Sequence, residues 1–303
     1  MRQAVTSKIV YEPALAEEAV FLEHRRRSEA GNDAGERDYR EALESIYHLQ
    51  DPRQREARFR EHALAAFTAL GLDRPVREAL VDFPGLEERV SRVLVMRVAH
   101  PREETADLST GPTGGLPHAG VRLTVGRFAE PALLRRLLRH EFLHLEDLLD
   151  PAFGAVSGDR FGGSPARRRL REDRYREAWA VSVDARLSGE ALYAGPEHWG
   201  RFRRLFGALP EGEARELFET LLQRRPSHEE FKRLADLGNP EASALPTPGG
   251  PCPLCQFPTH GWTGAETLAR IAPRVHSDYP HWVPESGLCG RCAERYELAG
   301  ATS

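Results

Sequence analysis

The chain has 303 residues, 40% of them hydrophobic, and a formal net charge of −4. A core of useful size is therefore available, and the charge balance argues against a protein that binds nucleic acid in bulk. No apolar run approaches the roughly eighteen residues of a membrane span, and Met1–Tyr11 lacks the apolar stretch of a secretion signal.

Residues 13–80 are rich in Ala, Leu, Glu and Arg and predict a helical scaffold, broken at Gly31–Gly35 and again at Gly71–Pro75. Val90–Ala99 carries β-branched residues with period-two stretches and predicts a strand. Pro101–Pro117, full of Gly, Thr and Pro, reads as a loop. Gly120–Phe128 alternates Val121, Leu123 and Val125 with Arg122 and Thr124, and predicts a second strand.

The next segment carries the chemistry. Pro131 starts a helix and Asp150-Pro151 stops it. Within it lies His140-Glu141-Phe142-Leu143-His144, an HExxH pattern. Residues four apart share a helix face, so both imidazoles can reach one metal ion, and Glu141 can take a proton from a water bound to it. On a helical wheel Leu133, Leu134, Leu137, Leu138, Phe142, Leu145, Leu148 and Leu149 form an apolar arc. Glu141 falls inside that arc and the two histidines at its border. A carboxylate pointing into an apolar face needs compensation, and a metal with its water supplies it. Asp147, on the polar side, is a candidate acceptor for an imidazole N–H.

A catalytic zinc takes three protein ligands and leaves one position for water. Asp150 would be the nearest third ligand, but a continuous helix puts it on the wrong side. Pro151–Pro165 is a loop with four glycines, and Ala166–Leu187 predicts the next helix. On it Glu177 and Asp184 stand two turns apart, on a face shared with Leu170 and Val181. One ligand and one orienting carboxylate fit that pair, in either assignment. Tyr175, Tyr193 and His198 are candidates for stabilising an oxyanion. Pro196–Leu237 predicts further helix.

Residues 239–251 (NPEASALPTPGGP) read as a linker, dividing a domain at 1–238 from a module at 252–303. The module holds all four cysteines as two CxxC pairs, Cys252/Cys255 and Cys289/Cys292. Without a secretion signal, such pairs indicate one structural zinc on four thiolates and a cytoplasmic location, not disulfides. Acidic residues outnumber arginines here, which favours a protein partner or a structural role over nucleic acid.

The order strand, strand, HExxH helix, downstream helical carboxylate resembles the gluzincins, a clan of zincin metallopeptidases. The likeness covers about residues 90–190 and rests mainly on the five-residue motif. It departs where that pattern often has an Asp four residues after the ligand Glu, because Val181 stands there. The cysteine module resembles a zinc ribbon. These resemblances imply an α+β, mostly helical fold with a small antiparallel sheet packed on the HExxH helix, and a zinc-dependent peptidase with one catalytic and one structural zinc. Its substrate would be a peptide or protein, paired by β-augmentation at a sheet edge. The alternative is a non-catalytic protein of the same fold that works through the cysteine module.

Overall fold

The computed structural model describes residues 8–298 except 33, 111–113, 157, 163–164, 188–191, 193–194, 238–248 and 280–281. The fold is a mostly helical α+β arrangement with a small sheet. After the short strand β1 (Ile9–Tyr11) come α1 (Pro13–Glu29), α2 (Ala34–Tyr47), α3 (Pro52–Ala69), α4 (Arg74–Val81) and α5 (Pro84–Arg89). Proline occupies the first turn of α1, α3, α4 and α5, where its missing N–H leaves no bond unmade. Asp51 adds a side-chain cap on the Arg53 N–H at 2.9 Å.

The sheet follows: β2 (Arg92–Arg97), β3 (Thr105–Ser109) and β4 (His118–Leu123). Its order is β1-β2-β4-β3, with β1–β2 and β2–β4 parallel and β3–β4 antiparallel. The sheet is thus mixed, which corrects the expected antiparallel one. Parallel neighbours need long connections, and the five helices supply the first while β3 and its loops supply the second. The segment read as a loop at 101–117 contains β3, and the strand expected to run to Phe128 stops at Leu123, passing into a 3-10 turn at Val125–Ala129. Gly120 of β4 lies against β3 so closely that a Cβ there would fall 2.7 Å from the Asp107 carboxylate.

Helix α6 (Pro131–Leu149) carries the HExxH residues, and α7 (Pro165–Arg186) the downstream carboxylates. Then come α8 (Gly195–Leu205), α9 (Glu211–Gln223) and α10 (His228–Ala235), the last opened by a Ser227/Glu230 capping box. One core joins α1, α3–α5, the sheet and the apolar face of α6, with Phe67, Leu80, Leu134 and Phe142 fully buried. A second gathers α7–α10 around Phe153, Phe202, Phe206 and Phe231. Leu148 and Trp179 pack against both, so α6 and α7 form the seam. Among the described residues, no helix is long and apolar enough to cross a membrane.

Most of the expected linker, 239–248, lies outside the described residues, and Gly250–Pro251 already forms β5 of the cysteine module. That module pairs β5 with β6 (Pro258–Thr259) and adds α11 (Ala265–Asp278) and α12 (Gly290–Leu298) around its own core of Leu268, Ile271, Val275, Trp282 and Leu288. It is more helical than a ribbon, because Cys292 of the second cysteine pair stands in the first turn of a helix.

Candidate metal and active site

Helix α6 enters from Glu130 and presents its charged flank to Asp82, which pairs with Arg135 at 3.1 Å and with Arg139 at 2.5 Å. These contacts fix its rotation and turn His140, Glu141 and His144 toward a cavity of about 580 Å³. Glu104, Thr105 and Ala106 form one wall of that cavity, and Glu177, Trp179 and Arg201 another.

The two imidazoles point at one place: His140 Nε2 and His144 Nε2 are 3.1 Å apart. Two nitrogens on one tetrahedral zinc, each at about 2.0–2.1 Å, would lie about 3.3 Å apart, so the spacing fits a shared ion. His140 is held by its other nitrogen, with Nδ1–H donating to Asp184 Oδ1 at 2.7 Å, which leaves the Nε2 lone pair facing the cavity. Burial pushes the pKa of His144 well below its ordinary value and so keeps it neutral, the form that binds a metal. Its buried Nδ1 has no hydrogen-bond partner among the described residues, and the Trp179 ring packs against the imidazole edge to face at 4.2 Å.

Glu141 lies on the cavity wall, and its Oε2 accepts the Ala106 N–H of β3 at 2.8 Å. Burial raises its pKa, against the lowering effects of His140 and of that N–H. A carboxyl poised upward in this way suits proton transfer. The sheet edge beside the motif helix is β3, not either of the strands legible in the sequence. Because side-chain and hydrogen-bonding directions alternate along it, the outward N–H of Ala106 places that of Leu108 on the same open edge.

The downstream carboxylates divide. Asp184 is 5% exposed and is saturated: it accepts from His140, from His198 Nε2 at 2.8 Å and from the Leu192 N–H at 3.0 Å. Burial would raise its pKa, but these donors hold it well below the usual carboxylate range. Glu177 lines the cavity, its Oε1 2.8 Å from His198 Nδ1 and its Oε2 3.2 Å from Arg201 Nε. His198 therefore bridges the two carboxylates. Burial disfavours its charged form, yet the two acids together raise its pKa. Neither carboxylate completes a tight triple with the histidine pair: among the described residues, ligand atoms from three or more residues gather within 4.8 Å of one another only in the cysteine cluster and at Asp159, His228 and Glu229.

Several expectations need correction. Asp147, on the polar side of its helix, is nevertheless buried and does not serve an imidazole; it accepts from Trp179 Nε1 at 2.8 Å, from Arg186 at 2.5 and 2.9 Å and from Arg225 at 2.9 Å. Asp150, in keeping with its expected place on the wrong side of the helix, is turned away to Arg225 Nη1 at 2.7 Å and the Ala152 N–H at 2.9 Å. Tyr175 faces a neighbouring cavity, where its hydroxyl meets His228 Nδ1 at 2.7 Å. Tyr193 lies outside the described residues. His198 is buried behind Glu177 and does not line the cavity. Arg201 carried no sequence signal, and the β3 edge only the short alternation of Ala106 and Leu108 with polar residues.

Cys252, Cys255, Cys289 and Cys292 are unpaired by disulfides and converge in one cluster that can hold a metal ion. Cys255 Sγ and Cys289 Sγ are 3.8 Å apart, the separation that two thiolates at about 2.3 Å from a tetrahedral zinc would have. Burial opposes ionisation of Cys252, but backbone N–H groups of Cys255, Cys289 and Leu254 prevail and lower its pKa to about 7. Gln256, at φ 63°, turns the first knuckle back toward β6.

Searches of family models, curated proteins and solved structures find no match to this chain.

Proposed function

We propose that the protein is a metal-dependent hydrolase acting on peptides, with His140, His144 and Glu177 as the ligands of a catalytic zinc and the four cysteines as those of a structural one. The observation that carries this reading is the convergence of both Nε2 atoms on one point with Glu141 beside them in the same cavity. A divalent cation bound there supplies acidity to a water and polarises a carbonyl. Asp184 has both oxygens committed, so we assign it as the group that orients His140, and Glu177, on the cavity wall, as the ligand. Glu141 takes the proton of the attacking water and passes it to the leaving amine, held in place by Ala106. The open edge of β3 would pair with an extended peptide and lay it across the histidines.

A second reading, a non-catalytic binding protein, draws on one observation: Glu177 is already engaged by His198 and Arg201. Turnover of a peptide library by the full chain separates the two. Under the hydrolase reading, cleavage stops with a chelator and returns with zinc, and Glu141→Gln keeps its metal but loses at least about a hundredfold in rate. No cleavage by protein carrying metal at the histidine pair would leave the binding reading standing.

A further inference from the structure

A second cavity, of about 330 Å³, adjoins the first; Trp179 and Arg176 line both. Its wall is aromatic. Phe161 meets Tyr175 at 5.9 Å, and Tyr175 meets Trp179 at 5.7 Å and His228 at 5.4 Å, in edge-to-face arrangements. Its polar groups satisfy one another. The Tyr175 hydroxyl bonds His228 Nδ1 at 2.7 Å, His228 Nε2 bonds Asp159 Oδ2 at 3.0 Å, and Lys232 Nζ reaches the same oxygen at 2.5 Å.

Asp159, His228 and Glu229 also come close enough to suggest a cation site. The Lys232 ammonium, on Asp159 and 3.8 Å from Glu229, already supplies that positive charge. A floor whose donors and acceptors are mutually paired asks nothing polar of a guest, and an apolar guest leaves none of them unmatched. The lining charges are Arg160, Arg176 and Lys232 against Asp159 and Glu172, an excess of one positive charge. Arg176 pairs with Asp173 at 3.2 Å and Lys232 with Asp159, whereas Arg160 makes no ion pair among the described residues. An uncommitted guanidinium at an aromatic pocket attracts a π face and repels a cationic side chain.

We infer that this second cavity receives an aromatic side chain of the peptide whose backbone lies across His140 and His144, and that it rejects lysine and arginine. The inference takes its substrate from the hydrolase reading, but the pocket can be tested without turnover. Ligand-observed NMR on the full chain would compare the binding of N-acetyl-phenylalanine amide with that of the alanine, lysine and glutamate counterparts. The phenylalanine probe should bind at least about tenfold tighter than alanine, the scale on which an apolar pocket discriminates, and lysine no better than alanine. Phe161→Ala should reduce the phenylalanine preference to within about twofold. Arg160→Glu, on an exposed side chain whose loss does not threaten folding, should strengthen lysine binding at least about threefold.

Equal binding of phenylalanine and alanine, a preference that survives Phe161→Ala, or tightest binding of glutamate would each overturn the aromatic assignment. Selective binding without cleavage of any peptide would sink the hydrolase reading and keep the pocket. Cleavage with no aromatic preference next to the scissile bond would do the reverse.

Discussion

Asp184 accepts a hydrogen bond from Nδ1 of His140 at 2.7 Å, with both side chains buried. The bond joins α7 to the motif helix and settles which imidazole nitrogen is left for the cavity. It also separates Asp184 from Glu177, two carboxylates of equal standing on the helical wheel.

Changing these two residues should therefore give different outcomes. Glu177→Ala removes a proposed ligand and should empty the histidine site at ordinary chelator concentrations. Asp184→Ala removes an orienting group and should weaken metal binding only about ten- to a hundredfold. Metal titration of both variants, with the cysteine-bound ion as internal reference, checks the order. Full occupancy in the Glu177 variant would remove it from the ligand set.

Metal content of the intact chain should be about two zinc ions, one resistant to mild chelation and one labile. Replacing Cys252 and Cys289 by serine should remove the resistant ion alone. Elemental analysis that finds one ion, lost entirely in that double variant, would leave the histidine pair without a metal.

Asp147→Ala should destabilise the fold and loosen Trp179 at the cavity wall. The substitution strands the Trp179 N–H and two guanidiniums that now share a carboxylate 1% exposed. Breaking a fully buried ion pair costs about 3–5 kcal/mol. Arg186 and Arg225 keep some access to water, so about 2–3 kcal/mol is the expected loss in chemical denaturation. A loss below about 1 kcal/mol would mean the cluster contributes little.

Glu104 gives a pH dependence with a definite sign. Burial alone would raise its pKa, but Arg127 and the Thr124 hydroxyl and N–H lower it below the ordinary value of about 4.3. A carboxylate depressed in the folded state contributes stability above its unfolded pKa, and that contribution is lost as pH falls through the folded one. Unfolding measured between about pH 5 and pH 2 should therefore show a steeper acid loss for the wild type than for Glu104→Gln. Parallel curves would show that the ion pair is not coupled to folding.

The motif helix, its boundaries and the inward pair on α7 were legible because they depend on local periodicity: 3.6-residue spacing and proline at the ends. The cysteine cluster was legible because CxxC spacing brings thiolates together whatever surrounds them. What escaped depends on distant partners. Asp147 sits on the polar side of its own helix and is buried only because α7 and the segment after α9 bring arginines to it. Strand β3 (TADLS) alternates only Ala106 and Leu108 with polar residues, with no β-branched apolar or aromatic residue to mark it, and it exists as an edge because β4 offers it a register. His198 looked like one of several possible helpers, and its bridging role appears only when α8 packs on α7.

The group that steadies Glu141 is the backbone amide of Ala106, and a backbone amide belongs to no particular amino acid. Its bond to the carboxylate would survive many exchanges of the residue-106 side chain, with proline the clear exception. The segment from Thr105 to Leu108 can thus drift in sequence while its part in the site stays constant. Relatives of this protein would then share the five residues of the motif and little recognisable text in the strand that faces it, and a search for them would do better to follow the strand's position than its letters.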